Sequence, residues 1–233
     1  MSKLLRLLRS KIPSIIFNFH YLPFRQAIKL PILCYKVDFK CLKGKIVIDS
    51  DKIYPGMIRL GFPVVKAYPN NGLSFSNEGT ITFKGCVNYG GGNSGLVTLK
   101  SGHIIFGPKF NSTAGGLIIS AKKIEFGTNV MLGWSVKIID TNFHPLYDLK
   151  QNKFKKGYGA IRIGNNVWFG TESLILHSCT IPDETVFAAK SVITAGCKLE
   201  TQCLHGGIPA KVIERGVMRP IKPYSITNYD DND

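Results

Sequence analysis

The chain has 233 residues, of which 44% are hydrophobic and 19% are charged, as is ordinary for one large folded domain. Thirty Lys and Arg residues oppose fifteen Asp and Glu residues, so the formal net charge of +15 predicts anionic ligands or partners. Residues 1–66 hold thirteen of these cations and three of the acids, which concentrates the charge near the N-terminus. No apolar run reaches the roughly 18–20 residues that a membrane span needs.

Residues 1–44 carry Leu and Ile together with Arg and Lys at helical spacing, interrupted by prolines. This pattern predicts one or two short, basic, amphipathic helices. Two interpretations stay open and are compatible: a cap that packs on the domain that follows, and a surface that rests on an anionic membrane leaflet. Arg6, Arg9, Lys11 and Pro13 break the apolar residues at the start, so no secretory signal is expected.

The stretch from Ile46 to Leu99 has short apolar runs separated by Gly-rich breaks, which is typical of short strands. Within it, "YGGGNSG" from Tyr89 to Gly95 predicts a surface loop, and nothing marks it as a phosphate loop.

A repeat of six residues organises the rest of the chain. From Ile163 the sequence divides into IGNNVW, FGTESL, ILHSCT, IPDETV, FAAKSV, ITAGCK and LETQCL. The first position is always aliphatic or Phe, and the fifth is small or β-branched. A helix does not have this period, whereas a β-solenoid with three sixes per coil does, with coils stacked at about 4.8 Å. FGTNVM and LGWSVK show that the repeat also runs upstream.

Six cysteines are present, and Cys179, Cys197 and Cys203 fall at the fifth repeat position, where a small buried side chain is required. We therefore expect free, buried thiols in a reducing cytosol rather than disulfides.

The repeat stops at "DTNFHP", Asp140 to Pro145, and a polar segment with four lysines follows. Of the five histidines, only His144 lies where the solenoid breaks, and a proline stiffens the backbone after it. Histidine suits general base catalysis because its pKa lies near working pH. His177 and His205 need no catalytic role, since a side chain that faces solvent is enough to explain each of them.

The sixes, "DTNFHP", "IGNNVWFG" and "GGIPAKVI" together resemble the hexapeptide-repeat acyltransferases, particularly the galactoside, maltose and capsular or lipopolysaccharide O-acetyltransferases. The resemblance implies an all-β fold, a left-handed parallel β-helix with a short N-terminal helical cap. It divides the chain into a cap at 1–44, an acyltransferase domain at 45–217 with a loop excursion at 141–160, and a tail at 218–233.

The same resemblance implies a homotrimer that binds acetyl-CoA as co-substrate in clefts between subunits and needs no metal. The implied reaction moves an acetyl group to a hydroxyl of a sugar or glycan precursor in polysaccharide biosynthesis. Transfer to an amine, as on an amino sugar nucleotide, remains the alternative. The expected location is the cytoplasm, with peripheral contact at the inner face of the membrane in view of the basic N-terminus.

Residue by residue, the resemblance makes His144 the base. Asp140 is expected to orient its imidazole or shape the site, although a turn residue that binds its own backbone is the other interpretation. Similar enzymes often have a second acid where this chain has Asn142. The expected acetyl-CoA contacts are Trp168 beside the pantetheine arm, the Thr171 amide as oxyanion donor, the Ala189 backbone, Thr194, and Lys211 near the nucleotide. Ala195 stands where the family often has Lys, and Trp168 is also explained as an exterior aromatic.

Three other classes fit the sequence less well. A nucleic-acid-binding protein would show zinc spacing, a helix-turn-helix or an aromatic RNA-binding pattern, and none is present. A scaffold solenoid without activity would lack His144. A metal lyase on this fold needs closely spaced zinc histidines, which the chain does not have. The lysines after Pro145 would guide phosphates, or they form a solvated loop.

Overall fold

The computed structural model describes residues 3–64, 69 and 71–220, with side chains from residue 11 onwards. The predicted tail lies outside the described residues beyond residue 220. The elements are two helices, α1 (Lys3–Tyr21) and α2 (Phe24–Ala27), followed by strands β1 (Ile32–Cys34), β2 (Val37–Cys41), β3 (Lys45–Ile48), β4 (Ile58–Leu60), β5 (Leu73–Asn77), β6 (Thr80–Phe83), β7 (Val87–Tyr89), β8 (Ser94–Thr98), β9 (His103–Phe106), β10 (Phe110–Ser112), β11 (Leu117–Ser120), β12 (Ile124–Phe126), β13 (Met131–Leu132), β14 (Lys137–Ile139), β15 (Leu146–Asp148), β16 (Lys153–Lys155), β17 (Ile161–Ile163), β18 (Trp168–Phe169), β19 (Leu174–Leu176), β20 (Thr180–Ile181), β21 (Val186–Phe187), β22 (Val192–Ile193), β23 (Cys203–Gly206) and β24 (Lys211–Arg215).

Three parallel sheets form the sides of a solenoid. The first sheet runs β1-β4-β7-β10-β13-β18-β21-β23-β24, the second β2-β5-β8-β11-β14-β19-β22, and the third β3-β6-β9-β12-β17-β20. Each coil contributes one strand to each sheet, so Phe169 pairs with Phe187, eighteen residues further on. Only β24, at the end of the first sheet, runs antiparallel to its neighbour there. The predicted parallel solenoid, with three sixes per coil, is confirmed.

The core is a column of side chains inside the solenoid. Because neighbouring strands are in register, equivalent rings stack from coil to coil, with centroids 5.4 Å apart for Phe83–Phe106 and 5.3 Å apart for Phe106–Phe126. The first repeat positions are buried as predicted, except that Leu199 near the end is only partly covered. All six cysteines are free, and Cys34, Cys179 and Cys203 are buried while the other three are half-buried.

The corners between sheets share a backbone conformation that the sequence pattern did not reveal. At six of the seven sixes, the fourth residue has a positive φ although it is not glycine. These residues are Asn166 (55°), Glu172 (59°), Ser178 (64°), Glu184 (55°), Lys190 (60°) and Gln202 (52°). The left-handed region costs an L-residue roughly 1–2 kcal/mol. The ladder hydrogen bonds and the packed interior on both sides of each corner offset that cost.

The segment "YGGGNSG" is a tight corner between β7 and β8 and not the predicted surface loop, since Asn93 alone among its residues is exposed. A Cβ at Gly90 would collide with the backbone oxygen of Thr113 on the next coil. The glycines therefore allow neighbouring coils to approach closely.

Helix α1 packs against the first coil, as the cap interpretation predicted. Buried Asn18 accepts a hydrogen bond from Ile32 N–H at 3.1 Å and donates to the Ile32 oxygen at 2.7 Å. Ser14 Oγ accepts from Cys34 N–H at 2.8 Å. Strands β1 and β2 lie inside the region 1–44 that was predicted as the cap. Their backbones pair with β4 and β5, so these two strands are already part of the solenoid. None of the described helices is long and apolar enough to cross a membrane.

Candidate active site

His144 lies on a strained turn just outside the solenoid. After β14, Asn142 N–H donates to the Gly157 oxygen at 2.7 Å, and His144 N–H donates to the Asn142 oxygen at 2.6 Å. The residue between them, Phe143, has φ +60°. An N–H bonded to the oxygen two residues earlier across a positive φ is a γ-turn, which is rare and strained. Such strain is concentrated at functional sites. The turn presents an exposed imidazole.

Asp140 is fully buried, and its carboxylate accepts hydrogen bonds from residues of the preceding coil. It accepts hydrogen bonds from Ser120 Oγ at 2.8 Å, Ala121 N–H at 2.6 Å and Lys122 N–H at 3.0 Å. These donors, and not the imidazole of His144, occupy both oxygens. The expectation that Asp140 orients His144 directly is therefore not met in this geometry, and nor is the alternative of a turn bonded to itself. Asp140 fixes the corner from which the loop departs.

Asp140→Asn is expected to destabilise the fold by on the order of 1–3 kcal/mol, because an amide offers one acceptor where the carboxylate offers two, and a buried donor is left unpaired. Urea unfolding would measure the loss. The matched control is Asp183→Asn: this carboxylate also accepts from a backbone N–H, Asn165 at 2.7 Å, but it is exposed, so a change within about 0.5 kcal/mol is expected. If Asp140→Asn kept full stability but lost activity, a direct action on His144 would be favoured instead.

The segment from Leu146 to Lys155 folds as an antiparallel hairpin of β15 and β16, which lies within the predicted excursion at 141–160. Tyr147 and Phe154 meet edge to face at 5.0 Å. Asp148 binds the turn backbone and lies 3.4 Å from Lys155. The hairpin thus presents exposed aromatic rings together with lysine ammonium groups.

Thr171 and Ala189 lie at a different corner, between the first and second sheets, and Trp168 lies on the strand that leads to it. Trp168 points outward on β18 with 40% of its surface exposed. Thr171 and Ala189 are stacked in successive coils, and Lys190 N–H donates to the Thr171 oxygen at 2.8 Å. Among the described residues, no acceptor contacts the N–H of Thr171 or of Ala189. Two amide donors are therefore available side by side for a ligand.

An open groove of about 550 Å³ runs beside this corner, parallel to the solenoid axis. It is lined by Asn93, Gly115, Ser135, Lys137, Glu172, Leu174, Lys190, Val192 and Ile208. Lys190 Nζ lies 3.7 Å from a carboxylate oxygen of Glu172. These residues could not be recognised in the sequence, because they come from six coils and only the stacking of coils brings them together. The one signal available was their equivalent place in successive repeats.

The remaining predicted contacts are more dispersed. Thr194 is half-buried, and its N–H and hydroxyl both lie beside Cys197 Sγ, at 3.3 and 3.6 Å. Lys211 is exposed at the start of β24. His144 leaves the solenoid at the corner between the second and third sheets, whereas Thr171 and Ala189 lie at the corner before it. One chain therefore does not bring the base and the predicted donor contacts to the same corner.

His205 is fully buried, whereas the sequence predicted that it faces solvent. Its Nε2 accepts a hydrogen bond from Glu200 N–H at 3.1 Å, and burial lowers the pKa of its imidazole. Among the described residues, no group of three His, Cys, Asp or Glu side chains is placed to hold a metal ion.

Known proteins match part of the chain by sequence. No family model matches the chain. A Schizosaccharomyces pombe protein that carries an acetyltransferase name is 34% identical over 114 residues, 48% of this chain and 53% of that protein. Escherichia coli galactoside O-acetyltransferase is 30% identical over 112 residues, with the same coverage of 48% and 53%. The chain spans about half the length of these curated relatives.

The crystal structure of NeuO, described as a polysialic-acid-specific acetyltransferase, superposes with a TM-score of 0.55 at 21% identity, covering 82% of this chain and 76% of that one. This chain has the hexapeptide-repeat fold. The predicted left-handed parallel β-helix with a helical cap is confirmed, and so is the predicted resemblance to the hexapeptide-repeat acetyltransferases. Asp140 lies at the corner after β14, and His144 lies on an insertion between the second and third strands of one coil, β14 and β17.

Proposed function

We propose that this protein is an acetyltransferase that moves an acetyl group from acetyl-CoA to a hydroxyl of a sugar or glycan precursor, with His144 as general base. The observation that carries the proposal is the exposed imidazole on a strained turn, where the chain leaves the solenoid between β14 and β17. The two relatives described above carry acetyltransferase names, and one of them is named for transfer to a galactoside.

In the proposed mechanism, His144 takes the proton of the acceptor hydroxyl as its oxygen attacks the thioester carbonyl. The N–H of Thr171 donates to the oxyanion that develops, because no acceptor among the described residues occupies it. The thiolate then leaves and takes the proton from the imidazolium. The groove beside Thr171 and Ala189 extends over several coils and can hold an extended pantetheine arm. Lys137 and Lys190 in its lining offer ammonium groups to the phosphates.

We further propose that the complete site forms between copies of the chain. His144 and Thr171 lie at different corners of the three-sided solenoid, so a neighbouring copy must bring its Thr171 corner to His144. A three-sided body with one base and one donor corner per chain favours a cyclic trimer with three equivalent sites. The hairpin of β15 and β16 then extends towards the acceptor, where its aromatic rings can stack on sugars and its lysines can attract acidic glycans. The reaction belongs in the cytoplasm, where acetyl-CoA is available and thiols stay free.

The experiment that tests the function measures thiol release from acetyl-CoA with paired acceptors, each a sugar or oligosaccharide and its amino-sugar counterpart. We expect turnover with hydroxyl acceptors and a product that mild alkali cleaves, because the new bond is an ester. A product that survives alkali and forms only with the amino sugars would show amine transfer and overturn the proposed acceptor chemistry. Turnover with neither class, in protein that binds acetyl-CoA, would exclude a carbohydrate acceptor of this panel.

A further inference from the structure

The outward face of the helical cap is apolar. Ile12, Ile15, Ile16 and Phe19 are exposed by 71%, 43%, 61% and 48%, and their spacing in α1 places them along one side of the helix. Phe24 in α2 and Ile28 directly after it, exposed by 70% and 54%, continue this surface. We call these six residues the cap ridge. Isolated exposed apolar residues are ordinary, but a continuous set of this size indicates an interaction surface.

The cap ridge is not the face that holds α1 on the solenoid. Ser14, Phe17 and Asn18, on the opposite side of the helix, are exposed by 1% or less and pack on the first coil. Phe19 and Phe24 contact each other across the two helices with ring centroids 6.1 Å apart. A helix that only caps a solenoid needs one apolar face, so the second one has no role in the packing of this chain.

Cationic side chains border the cap ridge. Lys11, Arg25 and Lys29 are exposed on the same two helices or next to them. Before Asp38, the first acidic residue, the sequence carries seven cations: Lys3, Arg6, Arg9, Lys11, Arg25, Lys29 and Lys36. A symmetric contact between two copies would bring these cations against each other, which is unfavourable. An anionic lipid surface accepts both the apolar ridge and its cationic border.

We propose that the cap ridge binds in the plane of a membrane that contains anionic phospholipid, with its apolar side chains among the acyl chains and Lys11, Arg25 and Lys29 at the headgroups. None of the described helices can cross the bilayer, so the helix lies on the surface. The solenoid, attached through Asn18 and Ser14, is then held at a fixed orientation to the lipid. This binding does not depend on acetyl transfer, and it would place the protein beside lipid-linked acceptors.

Sedimentation with vesicles tests the proposal without acetyl-CoA or acceptor, so its outcome is separate from that of the enzymatic assay. The full chain is mixed with vesicles of phosphatidylcholine alone or with phosphatidylglycerol. We expect binding to the anionic vesicles that weakens with salt. Ile12→Ser/Ile16→Ser should lower the partition coefficient at least about tenfold, and Lys11→Gln/Arg25→Gln/Lys29→Gln should lower it on anionic vesicles only. The matched control Val47→Ser/Tyr54→Ser, which removes exposed apolar side chains from the solenoid, should bind like wild type.

Thermal melting and size-exclusion chromatography accompany each variant to establish that it is folded. Equal binding by the Ile12→Ser/Ile16→Ser variant and wild type would overturn the proposal, and so would equal binding to neutral and anionic vesicles. If the ridge variant instead became a smaller assembly, with no vesicle binding by wild type, the surface would belong to a contact between copies.

Discussion

His144→Ala is expected to lower kcat/KM for acetyl transfer by about 10²–10⁴-fold, the usual contribution of a general base. Its melting temperature should stay close to that of wild type, because the imidazole is exposed and the turn is held by backbone hydrogen bonds from His144 and Asn142. Thiol release at fixed acetyl-CoA, with a carbohydrate acceptor that wild type uses, is the measurement.

His177→Ala provides the control for His144→Ala. This imidazole is half-buried on the solenoid and contacts the Ser178 hydroxyl at 3.1 Å, so its loss removes a histidine without touching the turn. It should retain nearly full activity. A fully active His144→Ala protein would exclude the proposed mechanism, and an equal loss in both variants would point to a general effect on the solenoid.

Phe106→Ala is expected to cost about 3–5 kcal/mol of the free energy of unfolding, the range for removing a buried Phe. Phe106 is fully buried, and its ring stacks between Phe83 and Phe126 while its edge meets Phe110 at 4.7 Å. The cavity would lie in the middle of a column whose rings are fixed by strand register, so the neighbours cannot close over it. Chemical denaturation gives the value.

Phe154→Ala is the matched control for Phe106→Ala. It removes the same side chain from the hairpin, where 70% of it is exposed, so a change within about 0.5 kcal/mol is expected. Similar losses for the two variants would contradict a core that depends on the stacked column. A loss below about 1 kcal/mol for Phe106→Ala would show that the coils relax to fill the space.

The sequence predicted which side chains fill the interior of the solenoid, because each of them occupies an equivalent position in its own repeat. Ile163, Phe169 and Ile175 repeat with a period of six because each must fill the same interior position, and the structure buries them all. The positive φ of Glu172 and Lys190 was not predicted, since these residues do not favour that conformation. There the coil geometry decides the backbone, and no local preference in the sequence reveals it.

The candidate site also has one part that the sequence predicted and one part that it did not. His144 was found from its place at a break in the repeat, which is a property of the sequence. The carboxylate of Asp140 was expected to orient His144 or to shape the site, and its partners are Ser120, Ala121 and Lys122, on the coil before it. Contacts between coils join residues that are about twenty positions apart in the sequence. The groove could not be predicted for the same reason.

Both ends of the first sheet are covered by other parts of the chain. A parallel solenoid exposes unpaired N–H and C=O groups at its first and last strands, and a second molecule can add to them. On β1 those groups are occupied by Asn18 and Ser14 of α1. At the other end β24 turns back antiparallel and covers β23. Removing α1 would leave the N–H and C=O groups on the outer edge of β1 unpaired. The truncated chain should therefore aggregate even if the solenoid still folds.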